Sequence, residues 1–436
     1  MVRSMYEYDV IVAGGGPSGI AAAVAAAREG AKTLLIERYG FLGGAGTAMM
    51  VNPWMSYWAG DNKQVQIIFG VLQELIDGMT RMGMYGHPMQ KTAFDPEALK
   101  VVAERLCLDA GVTLLYHTFL GDARMDGSGS VIQGITVANK SGLVDLKARI
   151  YVDATGDADL AAFAGAQVEK GREVDSLSQP MTLSFRMANI DVDRMPERSE
   201  ITRRYREAKA RGEIDCPRED VLWFYANQAG VIHFNSTRII LKDATNPWEL
   251  TEAEIEGRRQ VQEFVRFLTT KIEGFEHAYL QTTAPQIGVR ESRRVVGEYV
   301  LTAEELLHAC KFDDVIARGA YPVDIHNPNG EGTVIKELNP GEWYEIPFRC
   351  LLPKKIENLL IGGRPISATH EAHSAIRVQP IAIAIGQAAG AAAALCVRDN
   401  KRPRELDVGK VQEALTRQGA KLGVEVSKNE LTNRTT

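Results

Sequence analysis

Cysteine is scarce in this sequence, and its few copies are isolated. Five cysteines are spread over 436 residues, with no CxxC pair and no cluster of cysteine and histidine. That spacing excludes a disulfide framework and the ligand sets of zinc or iron–sulfur centres. Unpaired thiols are typical of a reducing compartment, so we expect a cytoplasmic protein without a bound metal.

Basic blocks and membrane-spanning runs are missing as well. Lys and Arg number 50 against 56 Asp and Glu, a formal net charge of −6, which argues against a nucleic-acid partner or binding to a charged membrane surface. The longest apolar run, 381–397, is shorter than a membrane span and is mostly Ala and Gly, so it predicts a buried helix. The N-terminus has no apolar stretch like that of a signal peptide. We therefore expect no membrane partner.

What is present is an ordinary globular composition with 40 glycines. The first and last parts of the chain alternate predicted strands and helices, whereas the middle part favours hairpins and capped helices. We predict an α/β fold of two domains. In this prediction residues 1–166 and 351–436 form one Rossmann-like domain, and residues 167–350 form an inserted α+β cap.

A glycine-rich loop near the N-terminus is the strongest motif. Its candidate ligand residues are Gly14, Gly16, Pro17, Ser18 and Gly19. The loop lies between a strand predicted at 8–13 and an Ala-rich helix, and a second strand at 33–37 ends on Glu37. In such a unit the glycines allow a tight turn and a close approach to a pyrophosphate, while the acidic residue accepts hydrogen bonds from a ribose. The pattern predicts dinucleotide binding, against the alternative of a plain glycine turn.

Three further segments extend this motif and favour FAD over NAD. They are a second glycine loop, a strand end with the sequence ATGD, and a late strand that leads into a helix at Pro380. With these segments the chain resembles flavoproteins of the glutathione-reductase-like FAD fold, in particular the FAD-dependent oxidoreductases related to succinate dehydrogenase flavoprotein subunits. The cofactor residues that this resemblance implies are Arg38, Gly43, Gly44, Thr47, Thr155, Gly156, Asp157, Gly363, Arg364, Arg377, Val378 and Gln379.

The resemblance covers nearly the whole chain up to about residue 400. Its matching stretches are 233–238, 284–302, 319–326, 346–350, 363–380 and 386–390. It implies a noncovalent FAD with Glu37 and Arg38 at the adenosine half and the second glycine loop near the diphosphate and flavin. The iron–sulfur relatives carry cysteine clusters that this chain lacks, so the resemblance does not extend to electron transfer through bound clusters.

Capping patterns predict several helix starts. Asp95 before Pro96 predicts one, and capping boxes at 251–254 and 302–305 predict two more, with a long strand at 282–301 between them. Pro380 opens the Ala- and Gly-rich helix. If the positive end of that helix faces the flavin, it stabilises the negative charge that develops on reduction. The alternative is a plain core helix.

Two histidines are candidates for acid–base catalysis. His370 and His373 lie on the loop predicted just before the Pro380 helix, where the chain would pass the flavin. Either imidazole could take a hydroxyl proton while a hydride leaves for the flavin. The alternative for each is a structural histidine that is hydrogen-bonded to the backbone.

Several cap residues are candidates for substrate contacts. Alternation along the predicted strand puts Arg290 and Arg294 on one face and Arg293 on the other. One face could clamp a carboxylate and give Arg290 a catalytic role, and pairing with nearby glutamates is the alternative. Asn235 and Arg238 lie three residues apart on a cap hairpin and so on opposite faces. We predict substrate contacts for Asn235, Arg238 and Arg293.

These features predict a flavoenzyme. A single GxGxxG and the lack of a redox CxxC exclude a pyridine-nucleotide disulfide reductase. We predict an FAD-dependent oxidoreductase that exchanges a hydride between flavin N5 and a small organic substrate at a C–O or C–C bond. The alternatives are a non-redox lyase or hydratase and a binding protein that has lost the cofactor. The electron acceptor is open, and a homo-oligomer is compatible with the sequence.

Overall fold

The computed structural model describes residues 3–59 and 65–423 of the chain. Its helices are α1 (Pro17–Arg28), α2 (Val71–Arg81), α3 (Pro96–Asp109), α4 (Asp159–Phe163), α5 (Arg198–Ala210), α6 (Pro247–Lys271), α7 (Ala303–Leu307), α8 (His370–Ile376), α9 (Gln379–Asp399) and α10 (Val408–Arg417). Its strands are β1 (Arg3–Ala13), β2 (Thr33–Ile36), β3 (Trp58–Ala59), β4 (Val65–Gln66), β5 (Thr113–Leu115), β6 (Phe119–Met125), β7 (Ile132–Asn139), β8 (Gly142–Asp153), β9 (Val168–Lys170), β10 (Phe185–Ala188), β11 (Trp223–Tyr225), β12 (Ile232–Phe234), β13 (Tyr279–Thr283), β14 (Arg293–Val295), β15 (Val315–Gly319), β16 (Val323–His326), β17 (Thr333–Lys336), β18 (Tyr344–Pro347) and β19 (Leu359–Ile361).

A seven-stranded sheet forms the main core. Its order is β5, β2, β1, β8, β7 and β6, and β19 pairs with the last residues of β8. Strands β5, β2, β1, β8 and β19 run parallel, and β7 pairs antiparallel with both β8 and β6. Val10, Ile11 and Val12 are fully buried, as the continuous apolar run of a parallel strand requires. The predicted strand–helix–strand unit and the α/β class are confirmed.

Helix α9 packs against α1 so closely that two of its positions have no room for a side chain. A Cβ atom on Gly386 would overlap the Ser18 carbonyl oxygen, and one on Gly390 would overlap that of Ala22. Within the described residues, α9 is the one helix long and apolar enough to cross a membrane, and 89% of its apolar window is buried inside the protein. The close contact brings a helix from each end of the chain to the same part of the sheet.

A second sheet carries a separate core. It is antiparallel, in the order β11, β12, β10 and β13, and its aromatic rings stack, with Phe185 and Phe234 4.8 Å apart between ring centroids. The buried side chains of this core come mainly from 181–289, whereas those from Val295 to Cys350 pack into the main core. The predicted cap boundaries, 167–350, stay a prediction. The core packing favours a cap that ends near Val289.

Two of the predicted helix starts are confirmed. The Asp95 carboxylate accepts a hydrogen bond from the Glu97 amide at 2.7 Å at the start of α3. Thr302 and Glu305 form a reciprocal capping box at the start of α7. Both starts depend on residues that are close in sequence, which is why local patterns identify them.

Two other local predictions are wrong. Helix α6 begins at Pro247, capped by Asn246, and not at the box predicted at 251–254. An Asn followed by Pro is the stronger start because Pro fits the first helical turn. The long strand predicted at 282–301 is also interrupted between β13 and β14. Pro285 lacks the amide hydrogen that a ladder needs, and the chain after it forms only an isolated bridge at Gly288.

Candidate active site

A cavity of about 520 Å³ opens at the carboxyl ends of the parallel strands. Its wall includes Gly14 after β1, Glu37 after β2, Ala154 after β8 and Gly362 after β19. The rest of the wall comes mainly from the second glycine loop and the chain after it, from segments in and around the second sheet, from the β16–β17 hairpin and from the start of α9. Ligands of open α/β sheets bind at this edge, and the volume is that of a ligand pocket.

The first glycine loop and Glu37 form one end of the cavity, which we call the nucleotide end. Gly14 has a φ of +99°, and a Cβ atom there would lie 2.5 Å from the Ala154 carbonyl oxygen. A Cβ atom on Gly19 would overlap the Gly14 carbonyl oxygen, so this glycine lets α1 approach the loop. At Gly16 a Cβ atom would meet only the Gly44 Cα, at 3.9 Å, so the backbone there is open to the cavity.

Glu37 is held in place by the backbone of both glycine loops. Its carboxylate accepts hydrogen bonds from the amides of Gly15 at 2.6 Å and Tyr39 at 2.9 Å. Burial raises the pKa of Glu37, and the two amide hydrogen bonds and the Arg38 charge oppose that rise. Arg38 lines the cavity beside it and donates a hydrogen bond to Gln286 from the cap. Glu37 is therefore a fixed acceptor on the cavity wall.

The start of α9 reaches the cavity from the other end of the chain. Val378 and Gln379 line the wall, and Gln379 is held by Trp54, whose indole donates to Oε1 at 3.2 Å, and by the Val51 carbonyl oxygen at 2.8 Å. Ser18 Oγ is buried beside this helix and has no hydrogen-bond partner among the described residues.

Most of the predicted cofactor residues lie on the cavity wall. Those on the wall are Gly14, Gly16, Pro17, Ser18, Glu37, Arg38, Gly44, Thr155, Gly156, Arg364, Arg377, Val378 and Gln379. Those behind it are Gly19, Gly43, Thr47, Asp157 and Gly363. The residues behind the wall shape it, because Thr47 Oγ1 donates to the Leu42 carbonyl oxygen at 2.8 Å and Asp157 accepts from Arg364 at 2.6 Å.

The opposite end of the cavity, which we call the cap end, carries charged side chains. Its charged residues are Arg218, Glu219, Asp220, Arg290, Asp324 and Arg377, and its hydrogen-bonding residues include Asn235, Tyr321 and His326. Burial lowers the pKa of Arg290, and the positive charges of the neighbouring Arg377, Arg218 and Arg238 lower it further. The positive charges of these arginines therefore act on one another at the cap end.

A tyrosine–aspartate pair lies at the cap end. The Tyr321 hydroxyl donates to Asp324 Oδ2 at 2.8 Å, and Arg377 lies 3.9 Å from the same oxygen. Burial opposes ionisation of Asp324, but the hydrogen bonds from His326 and Tyr321 and the charge of Arg377 outweigh it and lower its pKa. Burial and the Asp324 charge raise the pKa of Tyr321. At neutral pH the Asp324 carboxylate is therefore ionised and accepts a hydrogen bond from the neutral Tyr321 hydroxyl.

His326 is neutral and has a defined orientation. Burial and the charge of Arg290 lower the pKa of His326 to about 3. Its Nδ1 lies 3.1 Å from Arg238 Nη2, which can only donate, so the ring hydrogen is on Nε2 and faces Asp324 Oδ2 at 3.6 Å. His326 therefore orients the aspartate.

The sequence analysis assigns no role to Tyr321, Asp324 or His326, although 319–326 is among the stretches that carry the family resemblance. Asp324 and His326 lie two residues apart on β16, so they face the same side of the hairpin. That alternation is the signal in the sequence that could have found them.

The two predicted catalytic histidines do not line the cavity. His370 and His373 lie on α8, a short helix and not a loop, and both are buried. His370 Nδ1 contacts Glu291 at 2.8 Å, in a network with Arg294. Burial lowers the pKa of His373 well below its usual value, so its ring is neutral. The prediction that either acts as general base finds no support in this geometry, because helix formation turns both rings into the core.

Two of the predicted substrate residues also face elsewhere. Arg293 pairs with Asp159 at 3.1 Å and Arg238 donates to the carbonyl oxygen of Gly330 at 2.9 Å, and neither lines the cavity. Arg294, predicted to share a face with Arg290, is buried. The alternation fails here because the chain before β14 is irregular, so side chains do not alternate strictly along it.

A family model described as FAD dependent oxidoreductase matches residues 9–415. Among curated proteins, the chain is 27% identical over 201 residues to the digeranylgeranylglycerophospholipid reductase of Picrophilus torridus, which covers 43% of this chain and 48% of that protein. It is 31% identical over 169 residues to the thiamine thiazole synthase of Methanococcus vannielii, which covers 36% and 59%. The chain spans about half the length of the curated relatives it matches.

Solved structures with a similar chain path are more remote in sequence. A geranylgeranyl bacteriochlorophyll reductase-like protein of Thermoplasma acidophilum is 14% identical, with 95% of this chain and 83% of that chain covered and a TM-score of 0.47. A flavin-dependent brominase is 13% identical, with 94% and 83% covered and a TM-score of 0.48. Similarity at this level carries no argument about activity. The family model, in contrast, spans nearly the whole chain. The chain therefore belongs to the family of FAD-dependent oxidoreductases.

Proposed function

We propose that FAD lies along the cavity with its adenosine half near Glu37, its diphosphate at the first glycine loop and its flavin beside the start of α9. The residues present fit such a group. The backbone at Gly16 is open to the cavity, as a close approach to a phosphate requires. Ser18 Oγ is buried without a partner among the described residues and has a hydrogen bond to offer.

Two helix starts support this placement. Neither α1 nor α9 has a side-chain hydrogen bond at its N-cap, so free amide groups remain at both ends. Each helix start carries about half a positive elementary charge, which favours the diphosphate at one and a reduced, negatively charged flavin at the other. Bound FAD supplies an acceptor or donor of a hydride at its N5 atom.

The substrate is proposed to lie at the cap end of the cavity. Leu222 and Phe224 give this end an apolar side, and Asn235 and Arg290 give it hydrogen-bond donors. A small organic molecule seated there would lie between the charged side chains and the start of α9. The cap, which we propose ends near Val289, then shields the reacting atoms from water.

Tyr321 and Asp324 are the proposed proton-handling pair, in place of the histidines of α8. When a C–OH or C–NH group loses a hydride, its O–H or N–H proton must also leave. The carboxylate of Asp324 can take that proton directly or through the Tyr321 hydroxyl. The Asp324 amide donates to Ser374 Oγ at 3.0 Å, which fixes the strand that carries the carboxylate.

The observation that carries this proposal is the meeting of α1 and α9, from opposite ends of the chain, at one cavity. We expect the purified protein to be yellow and to hold one FAD. Anaerobic mixing with a panel of alcohols, amines and organic acids is expected to bleach the visible absorbance of the oxidised flavin. A yellow protein that converts a substrate without bleaching would indicate a non-redox enzyme, and a colourless protein that takes up no FAD would contradict the proposal.

Three further proposals concern the cellular location, the electron acceptor and the type of reaction. A cytoplasmic location is supported by the five cysteines, all of which are free thiols. A small oxidant or a partner protein would re-oxidise the flavin, because the chain carries one GxGxxG motif only. The curated relatives named as reductases support hydride transfer to or from an organic compound. The homo-oligomer that the sequence allows stays a prediction.

A further inference from the structure

We infer that the cap end of the cavity is a carboxylate-binding site with Arg290 as its central cation, so that the substrate is an organic acid. This inference rests on the proposed function, because it names the substrate class for the same cavity. Three observations carry it: the bonds that Arg290 makes, the balance of charge around it, and an unpartnered nitrogen on Arg218.

Arg290 is bonded to neutral oxygens. Its Nη1 donates to the Pro180 carbonyl oxygen at 2.7 Å and to Thr182 Oγ1 at 2.6 Å, and its Nη2 donates to Asn235 Oδ1 at 3.4 Å. Its Nε has no acceptor among the residues that the structure describes. The neutral contacts hold the guanidinium in place and leave one edge of its planar fork for a ligand.

The charges around Arg290 do not balance. Arg218 pairs with Asp220 at 2.6 Å, Arg238 with Glu219 at 3.0 Å, and Arg377 lies 3.9 Å from Asp324. Each of these three arginines therefore has a carboxylate, and His326 is neutral because burial lowers its pKa to about 3. Within residues 3–59 and 65–423, Arg290 is the cation of this group that forms no ion pair. Arg290 is only partly buried, but an unpaired cation is costly where burial removes part of its water, so an anionic ligand is expected to supply the counterion.

A second arginine has a free donor on the same wall. Arg218 is 4% exposed and lines the cavity, its Nε donates to Asp220, and its Nη1 has no partner among the described residues. A ligand oxygen between Arg290 and Arg218 would satisfy this nitrogen. The site is therefore built from the partly buried Arg290, the buried Arg218 and the amide of Asn235.

The charge balance favours a carboxylate over a phosphate. One positive charge is uncompensated at the cap end, and a carboxylate carries one negative charge, whereas a phosphate monoester carries about 1.5 to 2 at neutral pH. A planar carboxylate also matches the free edge of one guanidinium. A substrate acid would thus leave the cap end neutral when it binds.

The test uses the FAD-loaded protein and simple probes. Acetate and benzoate are titrated against acetamide and benzamide, which have the same shape without the charge, with the visible flavin spectrum and the melting temperature as readouts. We expect the acids to bind at least tenfold more tightly than the amides, and inorganic phosphate to bind more weakly than acetate. Equal binding of acids and amides, or tighter binding of phosphate, would overturn the inference.

Variants test whether Arg290 is the residue that binds the acids. Arg290→Gln is expected to weaken benzoate binding at least tenfold, and Arg290→Lys by less, because Lys keeps the charge but not the planar fork. Arg293→Gln, three residues along and outside the cavity, is the matched control and should bind benzoate like the unaltered protein. If Arg290→Gln does not fold, Arg218→Gln serves in the same titration and should also bind benzoate more weakly. Unaltered benzoate binding in a folded, yellow Arg290→Gln protein would overturn the inference.

The two proposals fail separately. A yellow protein whose flavin is reduced by an alcohol or amine, but which binds no carboxylate, would overturn the carboxylate site and leave the proposed function standing. A protein that takes up no FAD would contradict the proposed function first. Colour and flavin reduction are therefore recorded before the titrations.

Discussion

At the nucleotide end of the cavity the ligand-facing groups are mostly backbone atoms, whereas at the cap end they are charged side chains. Gly16 leaves the backbone open to the cavity, Gly14 makes the tight turn before it, and Glu37 is the carboxylate of that end. At the cap end, Arg218, Arg290 and Arg377 come from three widely separated segments of the chain. The first end is therefore sensitive to added volume and the second to altered charge.

This contrast fits the two tasks that we propose. A cofactor that stays bound is held by rigid backbone and helix starts, which need no rearrangement. A substrate that enters and leaves is recognised by side chains whose charge and hydrogen bonds it completes. The predictions below alter volume or charge at chosen residues, from the largest expected effect to the smallest.

Adding volume between α1 and α9 should disturb both ends at once. Gly390→Ala would place a methyl group against the Ala22 carbonyl oxygen, and we expect a loss of about 3 kcal/mol in the free energy of unfolding, together with lower FAD content. Urea unfolding and flavin absorbance measure the two effects. Gly127→Ala is the control, because a Cβ atom there has no neighbour within 4 Å. Equal stability of the two variants would contradict the close contact between α1 and α9 at Gly390.

Removing the charge at Asp324 should affect the cap end only. We expect Asp324→Asn to slow reduction of the flavin by substrate about 100-fold, because the proton acceptor is lost, and to leave FAD content unchanged. Stopped-flow absorbance under anaerobic conditions measures the rate. The exposed Asp193→Asn is the control. A rate equal to that of the control would remove Asp324 from the proposed chemistry.

The cap sheet should lose stability in acid. Burial, with the charge of Arg186, lowers the pKa of His233 to about 3, below its value in the unfolded chain. Protons then bind the unfolded chain preferentially, so this contribution to stability is complete above about pH 6.5 and falls as the pH falls toward 3. At pH 5 the loss from one such histidine is about 2 kcal/mol.

The measurement is the free energy of unfolding at pH 7 and at pH 5. His233→Asn should show a smaller loss between the two values than the unaltered protein, whereas the exposed His277→Asn should show the same loss. An unchanged pH dependence in His233→Asn would mean that this histidine already binds its proton in the folded state.

Neutralising the acid at the nucleotide end should have the smallest effect. We expect Glu37→Gln to weaken FAD binding about tenfold, since a charge-assisted hydrogen bond is replaced by a neutral one. The stability of the FAD-free protein should change little, because burial already opposes the charge. Equilibrium binding of FAD measures the affinity, with the exposed Glu7→Gln as control. Affinity equal to that of Glu7→Gln would place the adenosine elsewhere.

The sequence was sufficient for the nucleotide end because its determinants are contiguous. Gly14, Gly16 and Gly19 lie between a strand and a helix, and Glu37 ends the next strand, so local periodicity and spacing describe the whole unit. The start of α9 was predicted for the same reason, from Pro380 and the small residues that follow it.

The cap end could not be derived in this way because it depends on tertiary packing. Pro285 interrupts the predicted strand, and the face predicted to be shared by Arg290 and Arg294 is lost with it. His370 was assigned to a loop, but it starts a helix that turns it inward. Asp324 becomes notable only when Arg377, more than fifty residues later, is seen beside it.

The central claim is that one FAD contacts both ends of the chain. Hydrogen–deuterium exchange, measured on the protein with FAD and after its removal, tests this most directly. We predict that FAD slows amide exchange both in the first glycine loop, 14–19, and at the start of α9, 378–382. Protection confined to the first loop, with unchanged exchange at the start of α9, would contradict the account.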